Sequence, residues 1–501
     1  MKIIIQAGGK GTRLEWLTRN KPKCLVSVNN LPIIFYTFEK FKNDEFIIIS
    51  DYKTEVLEKY LSTFAVEYNY KIIKTDKVGT ISGIKDAISS FNNDEPFMLM
   101  WCDLILGEKF KIPKDLSRNY IGISKDFECR WSYRNGEFVN EPSKAEGVAG
   151  LFIFKNNLEL KNIEAEGALV KWLQKQDILF EKLSLHDTKE IGTLLSYADN
   201  NDNSKKCRPF NSIKFENGLV VKQGINAQGI KISVDEISWY KHVKKLGYAN
   251  IPEILEYSPL IMKQVQGKNI YEYDCLTKSQ KQEILFKLVN ALKDLHNLEP
   301  AKEAQIDDVE EVYIKKTYAR LEKIRNLVPF AQNEFIKING SYFKNVFYLK
   351  DELATLVKMF YPKNFKLIHG DCTFSNMMFD TFFMKTILID PRGYFGKSKL
   401  YGDEDYDWAK LYYSLKGNYD QFNLKKFTLD IKEREVELNI KSNNWSDMEE
   451  YFFDLLPFIN KQKLKFLHAI IWLSLTTYVW DDYDSICAAF YNGIINLNEV
   501  I

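Results

Sequence analysis

Short apolar runs alternate with amphipathic stretches along the N-terminal part of the chain. The apolar runs predict strands at Lys2–Gln6, Glu45–Ser50, Lys71–Lys74, Pro96–Trp101, Tyr120–Ser124 and Gly150–Phe154. Apolar residues at helical spacing predict helices between several of them, for example at Ile33–Lys42 and Lys53–Thr63. Strands that alternate with helices are typical of a parallel, three-layer α/β sheet.

A polar stretch rich in Asn, Asp and Ser, SYADNNDNSKKCRPF at residues 196–210, predicts a linker after this part of the chain. The pattern then changes. The sequence SIKFENGLVVKQG predicts a β-hairpin that turns at Asn217-Gly218, and a helix is expected from about Ser233. The sequence LIMKQVQGKNI predicts a strand and a turn, and the chain is mainly helical from about Thr277.

Length and composition limit the class of protein. A chain of 501 residues is too long for one ordinary core, so we expect two domains, at 1–200 and 205–501. The 69 Lys and Arg residues nearly balance the 68 Asp and Glu residues, which gives no support for a nucleic-acid binder with a basic surface. The seven Cys residues are scattered without a CxxC pair, which argues against a disulfide framework or a zinc site. With no long apolar run and no signal-peptide pattern, we expect a cytoplasmic protein without membrane insertion.

The first candidate chemistry lies in IIIQAGGKGTRLEWLTRNKPKCLVSV, near the N-terminus. A dinucleotide fingerprint would need a third glycine where Leu14 stands, and a P-loop would need Ser or Thr where Gly11 stands. What remains is a strand that ends in a glycine turn, where backbone N–H groups can approach a triphosphate. Arg13 and Lys23 can neutralise charge as pyrophosphate leaves. The alternative is a tight turn with solvated basic residues.

The whole pattern AGGKGTRL…T…KPKCLV closely resembles the signature of the nucleotidyltransferases that make activated sugars and head groups from a phosphate ester and an NTP. The resemblance implies that Gly8, Gly9 and Gly11 hold the nucleotide. It also implies that Arg13 contacts the phosphates and that Lys23 stabilises the transferred group.

Later segments are similar to the same family. The sequence GTISG resembles the segment that contacts the base, which implies nucleotide contacts for Gly79 and Thr80. The resemblance places Mg²⁺ on Asp103, at the end of the apolar run FMLMWCD, because a hard dication prefers carboxylate oxygens. In KEIGTL, Glu190 stands where the family has an Asp as its second metal ligand. The acceptor segment departs from the family, since the usual Glu-Lys-Pro is reduced to Glu-Pro at Glu141.

A second constellation lies in LIHGDCTFSNMMFD and the following ILIDPRG. Asp371 precedes Asn376 by five residues and Asp390 by nineteen. An Asp that orients a hydroxyl, with an Asn and a second Asp on magnesium, is a minimal kit for phosphoryl transfer from ATP. The spacing resembles the protein-kinase catalytic loop and, more closely, the aminoglycoside phosphotransferase and choline kinase family. That resemblance makes Asp371 the catalytic base and Asn376 and Asp390 the metal ligands.

Upstream residues complete this resemblance. Lys222 is expected to hold the ATP phosphates, with Lys214 as a competitor that the sequence does not exclude. Glu236, on the following helix, is the natural ion-pair partner for that lysine. His369 is expected to orient the catalytic loop, and Asp407 to brace it.

The C-terminal stretch AIIWLSLTTYVWDDYDSICAAFY combines aromatic and acidic residues. One interpretation is an acceptor pocket, in which Trp472, Tyr478, Trp480 and Tyr483 with nearby acids hold a cationic head group by cation–π contact. The other interpretation is a core helix face followed by a solvated acidic turn.

The two resemblances together predict a bifunctional enzyme. The expected fold is a Rossmann-like α/β/α nucleotidyltransferase sandwich followed by a protein-kinase-like, bilobal α+β domain with lobes at about 205–268 and 269–501. The kinase would phosphorylate a small alcohol with ATP, and the transferase would couple the phosphate ester to an NTP, with CTP favoured, for a surface polysaccharide. The alternatives are a sugar anomeric kinase joined to a UTP- or GTP-dependent transferase, and a chain in which one domain only binds nucleotide.

Overall fold

The computed structural model describes residues 1–201 and 211–501, which form two compact units. Within the described residues, the first unit comprises 1–201 and the segment Trp480–Asp484, and the second comprises the rest. Residues 202–210 of the predicted linker, which include the predicted domain start at residue 205, lie outside the described residues.

The first unit is built from strands that alternate with short helices. Its strands of three or more residues are β1 Lys2–Gln6, β2 Glu45–Ser50, β3 Asn69–Lys74, β4 Phe97–Trp101, β5 Tyr120–Ser124, β6 Ser132–Arg134, β7 Glu137–Val139, β8 Val148–Phe154 and β9 Glu181–Leu185. Its α-helices are α1 Ile33–Lys40, α2 Thr54–Phe64, α3 Ile84–Ile88, α4 Leu169–Leu173 and α5 Leu194–Asn200. All six predicted strands are present, with ends shifted by no more than a few residues.

Seven of these strands form one sheet in the order β9-β5-β8-β4-β1-β2-β3. The prediction of a parallel sheet is wrong in one respect, because β8 runs antiparallel to both β4 and β5. The chain between β5 and β8 turns through the β6–β7 hairpin. A parallel neighbour would need a helical crossover there, and the hairpin instead returns the chain in the opposite direction.

Helices cover both faces of this sheet. On β2, the ring of Phe46 lies 4.6 Å from that of Phe38 in α1. The alternate residues Ile47 and Ile49 are buried in a cluster with Ile84 of α3. Because successive side chains of a strand point to opposite faces, α1 and α3 lie on opposite sides of the sheet. The predicted three-layer α/β/α arrangement is therefore present.

Residues 196–200 of the predicted linker are helical, which corrects the prediction for that part. Helix α5 begins after Thr193, whose hydroxyl accepts a hydrogen bond from the N–H of Ser196 at 3.1 Å. The Ser196 hydroxyl in turn accepts from the N–H of Thr193 at 3.0 Å. This capping box starts a helix in a stretch whose Asn and Ser content is otherwise typical of a loop.

The second unit joins a small antiparallel sheet to a larger helical part. Its strands of three or more residues are β10 Asn211–Glu216, β11 Leu219–Gly224, β12 Ile254–Tyr257, β13 Leu260–Lys263, β14 Phe335–Ile338, β15 Ser341–Lys344, β16 Asn364–Leu367, β17 Met377–Asp380, β18 Lys385–Leu388, β19 Phe427–Ile431 and β20 Val436–Ile440. Its α-helices are α6 Ala227–Lys245, α7 Lys278–His296, α8 Ile306–Glu310, α9 Lys316–Ile324, α10 Lys350–Met359, α11 Glu404–Leu415, α12 Tyr419–Asn423, α13 Glu449–Leu455, α14 Lys461–Leu475 and α15 Tyr483–Leu497.

The first sheet of this unit has the order β10-β11-β13-β12. The predicted hairpin is confirmed, and Asn217 and Gly218 have φ of 51° and 74°, the left-handed values that this tight turn requires. Helix α6 begins earlier than predicted, because the side chain of Asn226 caps it by accepting from the N–H of Gly229 at 2.9 Å.

The helical part contains a second sheet, in the order β15-β14-β20-β19, that the sequence patterns did not predict. The hairpin β17–β18 lies between Asn376 and Asp390, the two predicted metal ligands of this unit. The kinase-like identity of this unit remains a prediction. Among the helices of the described ranges, none combines the length and apolar character needed to cross a membrane.

Two candidate active sites

The glycine turn follows β1 in the first unit and needs its glycines for close packing. Gly11 has φ of 63°, and a Cβ there would lie 3.0 Å from Cγ2 of Thr18 and 3.2 Å from Cβ of Lys23. A side chain at Gly8 would be in contact with Asp51, whereas a Cβ at Gly9 would meet nothing within 4 Å. Gly11 therefore brings the turn against Lys23, and Gly9 leaves the outer side of the turn open to a ligand.

A small apolar cluster packs against the residues that follow this turn. Its buried members are Leu14, Leu17, Val26, Val28, Ile33 and Ile191. Leu14 directly follows Arg13, and Ile191 directly follows Glu190. Packing of these two apolar residues in one cluster brings the turn and the Glu190 strand together, although they are far apart in sequence.

Lys23 is buried and forms an ion pair with Asp103, at the end of β4. Burial alone would lower the pKa of Lys23, but Asp103, with smaller contributions from Cys102 and Glu190, holds the pKa above its usual value. The second carboxylate oxygen of Asp103, Oδ1, is buried and has no hydrogen-bond partner in the described part of the chain. A buried carboxylate oxygen without a partner is costly, so this atom marks a place where a cation can bind.

Glu190 lies beside Asp103 through a short β-ladder. Glu190 pairs in register with Leu104, and the N–H of Ile191 donates to the carbonyl of Asp103 at 2.8 Å. Burial and the charge of Asp103 raise the pKa of Glu190, while Lys23 and Arg13 act in the opposite direction. The structure therefore brings Arg13, Lys23, Asp103 and Glu190 within electrostatic reach of one another.

The predicted base-binding segment is fixed to the end of β1. The side-chain N–H₂ of Gln6 donates to the carbonyls of Thr80 and Ser82, both at 2.9 Å. Gly79 has φ of 100°, and a Cβ there would lie 2.2 Å from the carbonyl oxygen of Gly167. The segment is therefore a rigid wall beside the glycine turn, and only glycine fits at position 79.

Two features of this unit were missed or left open by the sequence. Lys21 is buried and forms ion pairs with Asp482, at 3.1 Å, and with Asp484. These acids belong to the Trp480–Asp484 segment that groups with the first unit, and a sequence separation of more than 450 residues leaves no local signal of the pairing. Glu141, in the weakened acceptor segment, pairs with Arg134 at 3.1 Å on the rim of the β6–β7 hairpin.

In the second unit, the structure brings together Lys222, Glu236 and Asp390. Nζ of Lys222 lies 2.9 Å from Oε1 and 2.8 Å from Oε2 of Glu236, and 2.8 Å from Oδ1 of Asp390. Lys222 is 7% exposed and Glu236 1%. Burial raises the pKa of Glu236, Lys222 lowers it and Asp390 raises it again, with a net rise. Lys214, the competitor, is exposed on the neighbouring strand β10.

The predicted catalytic base has two partners. Oδ1 of Asp371 lies 2.9 Å from Nζ of Lys410, and its Oδ2 accepts from the side-chain N–H₂ of Asn376 at 2.9 Å. Burial alone would raise the pKa of Asp371, but Lys410, and then His369 and Arg392, bring it below its usual value. The carboxylate is therefore ionised and can accept a proton at neutral pH.

Asp407 and His369 hold the loop that carries Asp371. The carboxylate of Asp407 accepts from the N–H groups of His369 and Gly370 at 2.8 and 2.7 Å, and from Nε2 of His296 at 3.0 Å. Nε2 of His369 donates to the carbonyl of Ile389 at 3.0 Å, and its Nδ1 accepts from the N–H of Asp371 at 3.2 Å. Burial lowers the pKa of His369, so its neutral ring connects the catalytic loop to the Asp390 segment. These contacts agree with the orienting and bracing roles expected for the two residues.

Asp390 is held in a left-handed conformation, with φ of 55°. Its N–H donates to the hydroxyl of Tyr240 at 3.2 Å, and the preceding Ile389 donates to the carbonyl of Asn376 at 3.0 Å. Left-handed backbone is uncommon for a residue with a side chain and is maintained only where the surroundings determine it. In this conformation the carboxylate of Asp390 lies beside Lys222.

The side chains at each of the two predicted Mg²⁺ sites provide some, but not all, of the oxygen ligands that Mg²⁺ needs. Asp103 presents a buried oxygen without a partner, with Glu190 beside it. Asn376 donates with its nitrogen, which leaves its amide oxygen for a cation, and one oxygen of Asp390 is not used by Lys222. Residues 1–201 and 211–501 contain no group of three or more His, Cys, Asp or Glu side chains able to hold a metal ion. The four metal assignments therefore remain predictions that rely on phosphate oxygens to complete each site.

The aromatic C-terminal stretch does not act as one surface. Trp472 is fully buried in α14, and its N–H donates to Nε2 of His468 at 3.0 Å. The ring of Tyr478 lies 4.3 Å from the guanidinium carbon of Arg320. Trp480 groups with the first unit. The structure therefore supports the core interpretation for Trp472 and gives Tyr478 a cation of the chain itself as its partner.

Comparison with known proteins relates part of the first unit to a described family. Residues 2–115 match the sequence profile of the Nucleotidyl transferase family. The CTP:phosphoglutamine cytidylyltransferase of Campylobacter jejuni is 32% identical over 155 residues, which are 29% of this chain and 60% of that protein. The mannose-1-phosphate guanyltransferase of Saccharomyces cerevisiae is 32% identical over 151 residues, 29% of this chain and 40% of that protein. The chain thus spans about half the length of these curated relatives.

Among solved structures, the CTP:phosphocholine cytidylyltransferase of Streptococcus pneumoniae shares 21% identity and covers 41% of this chain and 99% of its own, with a TM-score of 0.33. The sequence matches show that the N-terminal part of the chain is similar to nucleotidyltransferases, among them proteins named for cytidylyl and guanylyl transfer.

Proposed function

We propose that the chain is a bifunctional enzyme that phosphorylates a small alcohol with ATP and couples the resulting phosphate ester to an NTP. The observation that carries the proposal is the same in both units. Each holds a buried lysine against an acid predicted to bind Mg²⁺, Lys23 with Asp103 and Lys222 with Asp390. Such pairs are typical of sites that bind triphosphates. The product would serve as an activated precursor for a surface polysaccharide.

In the first unit, the reaction would be nucleotidyl transfer. An oxygen of the phosphate ester attacks the α-phosphorus of the NTP, and the bond between that phosphorus and the oxygen leading to the β-phosphate breaks, releasing pyrophosphate. The open side of the glycine turn at Gly9 would admit the triphosphate. Arg13 and Lys23 would balance the charge that develops on the transferred and leaving groups. Mg²⁺ held by Asp103 and Glu190 would supply further charge neutralisation.

CTP is the favoured nucleotide for this step. The CTP:phosphoglutamine cytidylyltransferase of Campylobacter jejuni is among the similar proteins. The alternative, GTP with a sugar 1-phosphate, is favoured by the similar mannose-1-phosphate guanyltransferases. The base would lie against the Gly79–Thr80 wall in either case.

In the second unit, the reaction would be phosphoryl transfer. The hydroxyl oxygen of the alcohol attacks the γ-phosphorus of ATP, the bond to the β-phosphate oxygen breaks, ADP leaves, and Asp371 takes the hydroxyl proton. The lowered pKa of Asp371 keeps it ionised for this role. Lys222, fixed by Glu236, would hold the ATP phosphates. Asn376 and Asp390 would hold Mg²⁺, which would supply charge neutralisation for the phosphates.

Two matched variants of the full chain test the proposal. With ATP and a panel of alcohols, we expect Asp371→Asn to abolish ADP formation and leave pyrophosphate release intact. With a panel of NTPs and phosphate esters, we expect Asp103→Asn to abolish pyrophosphate release and leave ADP formation intact. Each variant is the folding control for the other. Binding of nucleotide without turnover in the unaltered chain would favour a binding module, and a preference for GTP with a sugar 1-phosphate would replace the cytidylyl assignment.

A further inference from the structure

Three basic side chains gather beside the predicted catalytic loop of the second unit. Lys316 and Arg320 lie on α9, and Arg392 follows the predicted metal ligand Asp390 by two residues. We call these three residues the cationic cluster. The proposed phosphoryl transfer does not require them, since Lys222 already holds the ATP phosphates in that proposal.

Arg392 is fixed to the catalytic loop. Its backbone N–H donates to the carbonyl of His369 at 2.9 Å, and its Nη1 donates to the hydroxyl of Tyr406 at 3.2 Å. A Cβ built on Gly370 would lie 2.9 Å from Cβ of Arg392, so the arginine packs directly against the residue before Asp371. Its charge acts on Asp371. A group bound by Arg392 therefore lies next to the proposed base.

Aromatic stacking connects Arg392 to α9. The ring of Tyr406 is stacked on that of Tyr313, with centroids 6.2 Å apart and planes at 29°. Tyr313 lies three residues before Lys316, in the π-helical turn Glu311–Lys315 that leads into α9. Arg320 follows Lys316 by four residues, so these two side chains share one face of α9. The Nη1 of Arg320 donates to the carbonyl and hydroxyl of Ser474 at 2.7 and 2.6 Å, which fixes its position.

Two carboxylates act on the cluster from beyond ion-pair distance, Glu311 on Lys316 and Asp371 on Arg392. Within residues 1–201 and 211–501, no Asp or Glu oxygen lies within ion-pair distance of any of the three side chains. Burial, and then the charges of Arg392 and Arg320, lower the pKa of Lys316 to about 8. Burial alone would raise the pKa of Tyr478, but Arg320, Lys316 and Arg392 lower it to about 8. Three mutually repelling cations at a partly buried place are stabilised when an anion binds among them.

We infer that the cationic cluster binds an anionic group of the alcohol that is phosphorylated, so that the substrate is a small alcohol with a carboxylate or phosphate. This inference rests on the proposed kinase function. It excludes a cationic substrate of the kind considered for the aromatic C-terminal stretch, because the three cations of the cluster would repel an ammonium group. The anion would be held by two arginine forks and one ammonium group, and the hydroxyl would be directed to Asp371.

The test compares alcohols that differ mainly in charge, with the full chain, ATP and Mg²⁺. Glycerate and glycerol 3-phosphate are the two anionic probes, glycerol is neutral, and ethanolamine is cationic. We expect kcat/KM, measured by ADP formation, to be at least about tenfold higher for an anionic probe than for the neutral one, since a charge-assisted hydrogen bond has this effect on binding. Comparison of glycerate with glycerol 3-phosphate distinguishes carboxylate from phosphate.

A matched pair of variants locates the effect. Lys316→Met is expected to raise KM for the anionic alcohol about tenfold or more, while KM for ATP and turnover of the neutral alcohol stay unchanged. Lys315→Met is the control, because Lys315 is exposed and already paired with Glu310 at 3.1 Å. Arg320→Gln provides a second variant if Lys316→Met unfolds, which circular dichroism would detect.

The outcomes separate the inference from the function on which it rests. A higher kcat/KM for ethanolamine or glycerol, or equal effects of the Lys315 and Lys316 variants, would overturn the inference and leave the kinase proposal standing. Absence of ADP formation with every alcohol, in a chain that still releases pyrophosphate, would overturn the kinase proposal itself.

Discussion

Replacing Lys222 by Met removes the ammonium group that lies between Glu236 and Asp390. Lys222 bonds to both oxygens of Glu236 and to one of Asp390, all within 2.9 Å. Met has a similar length and no charge, so it fills the space without a large cavity. The variant therefore isolates the loss of the ion pairs.

The expected loss of stability is large but limited by proton uptake. Leaving one partner of a buried ion pair uncompensated costs about 3–5 kcal/mol, and we expect about 3 kcal/mol here because Glu236 can be protonated. Burial already raises the pKa of Glu236, and loss of Lys222 would raise it further. In the variant, Glu236 keeps its proton in the folded state at pH values where the unfolded state has already released it, that is, above the ordinary pKa of a carboxyl group. Stability of the variant therefore falls as pH rises from about 4.5 through the raised pKa of the folded state, and the loss is greater at pH 8 than at pH 5.

The measurement is hydrogen exchange followed by mass spectrometry, on peptides that cover β11 and α6, at pH 5 and pH 8 after correction for intrinsic exchange. A local measurement is preferred because a chain of two units need not unfold in two states. Lys214→Met is the matched control, as an exposed lysine on the adjacent strand whose loss is expected to change stability by no more than about 0.5 kcal/mol. ADP formation should be lost in the Lys222 variant only. Equal protection and equal ADP formation in the two variants would refute the assignment of Lys222 as the ATP lysine.

Three further predictions concern both units. Lys23→Met is expected to lower the rate of pyrophosphate release by about 10²–10³ and to leave ADP formation unchanged, as measured in the two coupled assays. Gly79→Ala should weaken NTP binding in calorimetry, because its Cβ would lie 2.2 Å from a backbone oxygen at a φ of 100°, while Gly9→Ala, with nothing within 4 Å, should leave the fold intact in circular dichroism. For an anionic alcohol, kcat/KM of the kinase should fall above about pH 8, because Lys316 loses its proton and Tyr478 gains negative charge there; the absence of a similar fall with glycerol is the control.

In the first unit, the sequence predicted the position of strands better than their direction. Ile3, Ile4 and Ile5 form a buried apolar run that is typical of a central strand, and the glycine turn after it is equally plain. The run at Val148–Phe154 is just as apolar, and such a pattern does not distinguish a parallel from an antiparallel strand. Direction depends on the connection before it, where the β6–β7 hairpin has only three residues in each strand. Strands of three residues are too short to show the alternation of apolar and polar residues from which a hairpin can be predicted.

In the second unit, local spacing predicted the loop residues and could not predict their distant partners. Asp371 and Asn376 are separated by five residues, and their hydrogen bond follows from one tight loop. Lys410 reaches Asp371 from α11, where a lysine in a helix is typical of a solvated face. The choice between Lys222 and Lys214 depended on which face of the sheet packs against α6. In the β10–β11 register Lys214 lies opposite Val221, so the two lysines are on opposite faces, and only tertiary packing decides which is buried.

The two candidate sites share an electrostatic arrangement that explains why each lysine is buried with an acid. Lys23 and Lys222 are both held by carboxylates that follow the end of a strand, Asp103 after β4 and Asp390 after β18. A buried ammonium group without a partner would lose its proton, because burial disfavours its charged form. Pairing with an acid keeps the lysine charged and fixed before any substrate binds. When a triphosphate brings its own negative charge, the ammonium group can donate to a phosphate oxygen without first being desolvated, so binding requires less reorganisation at both sites.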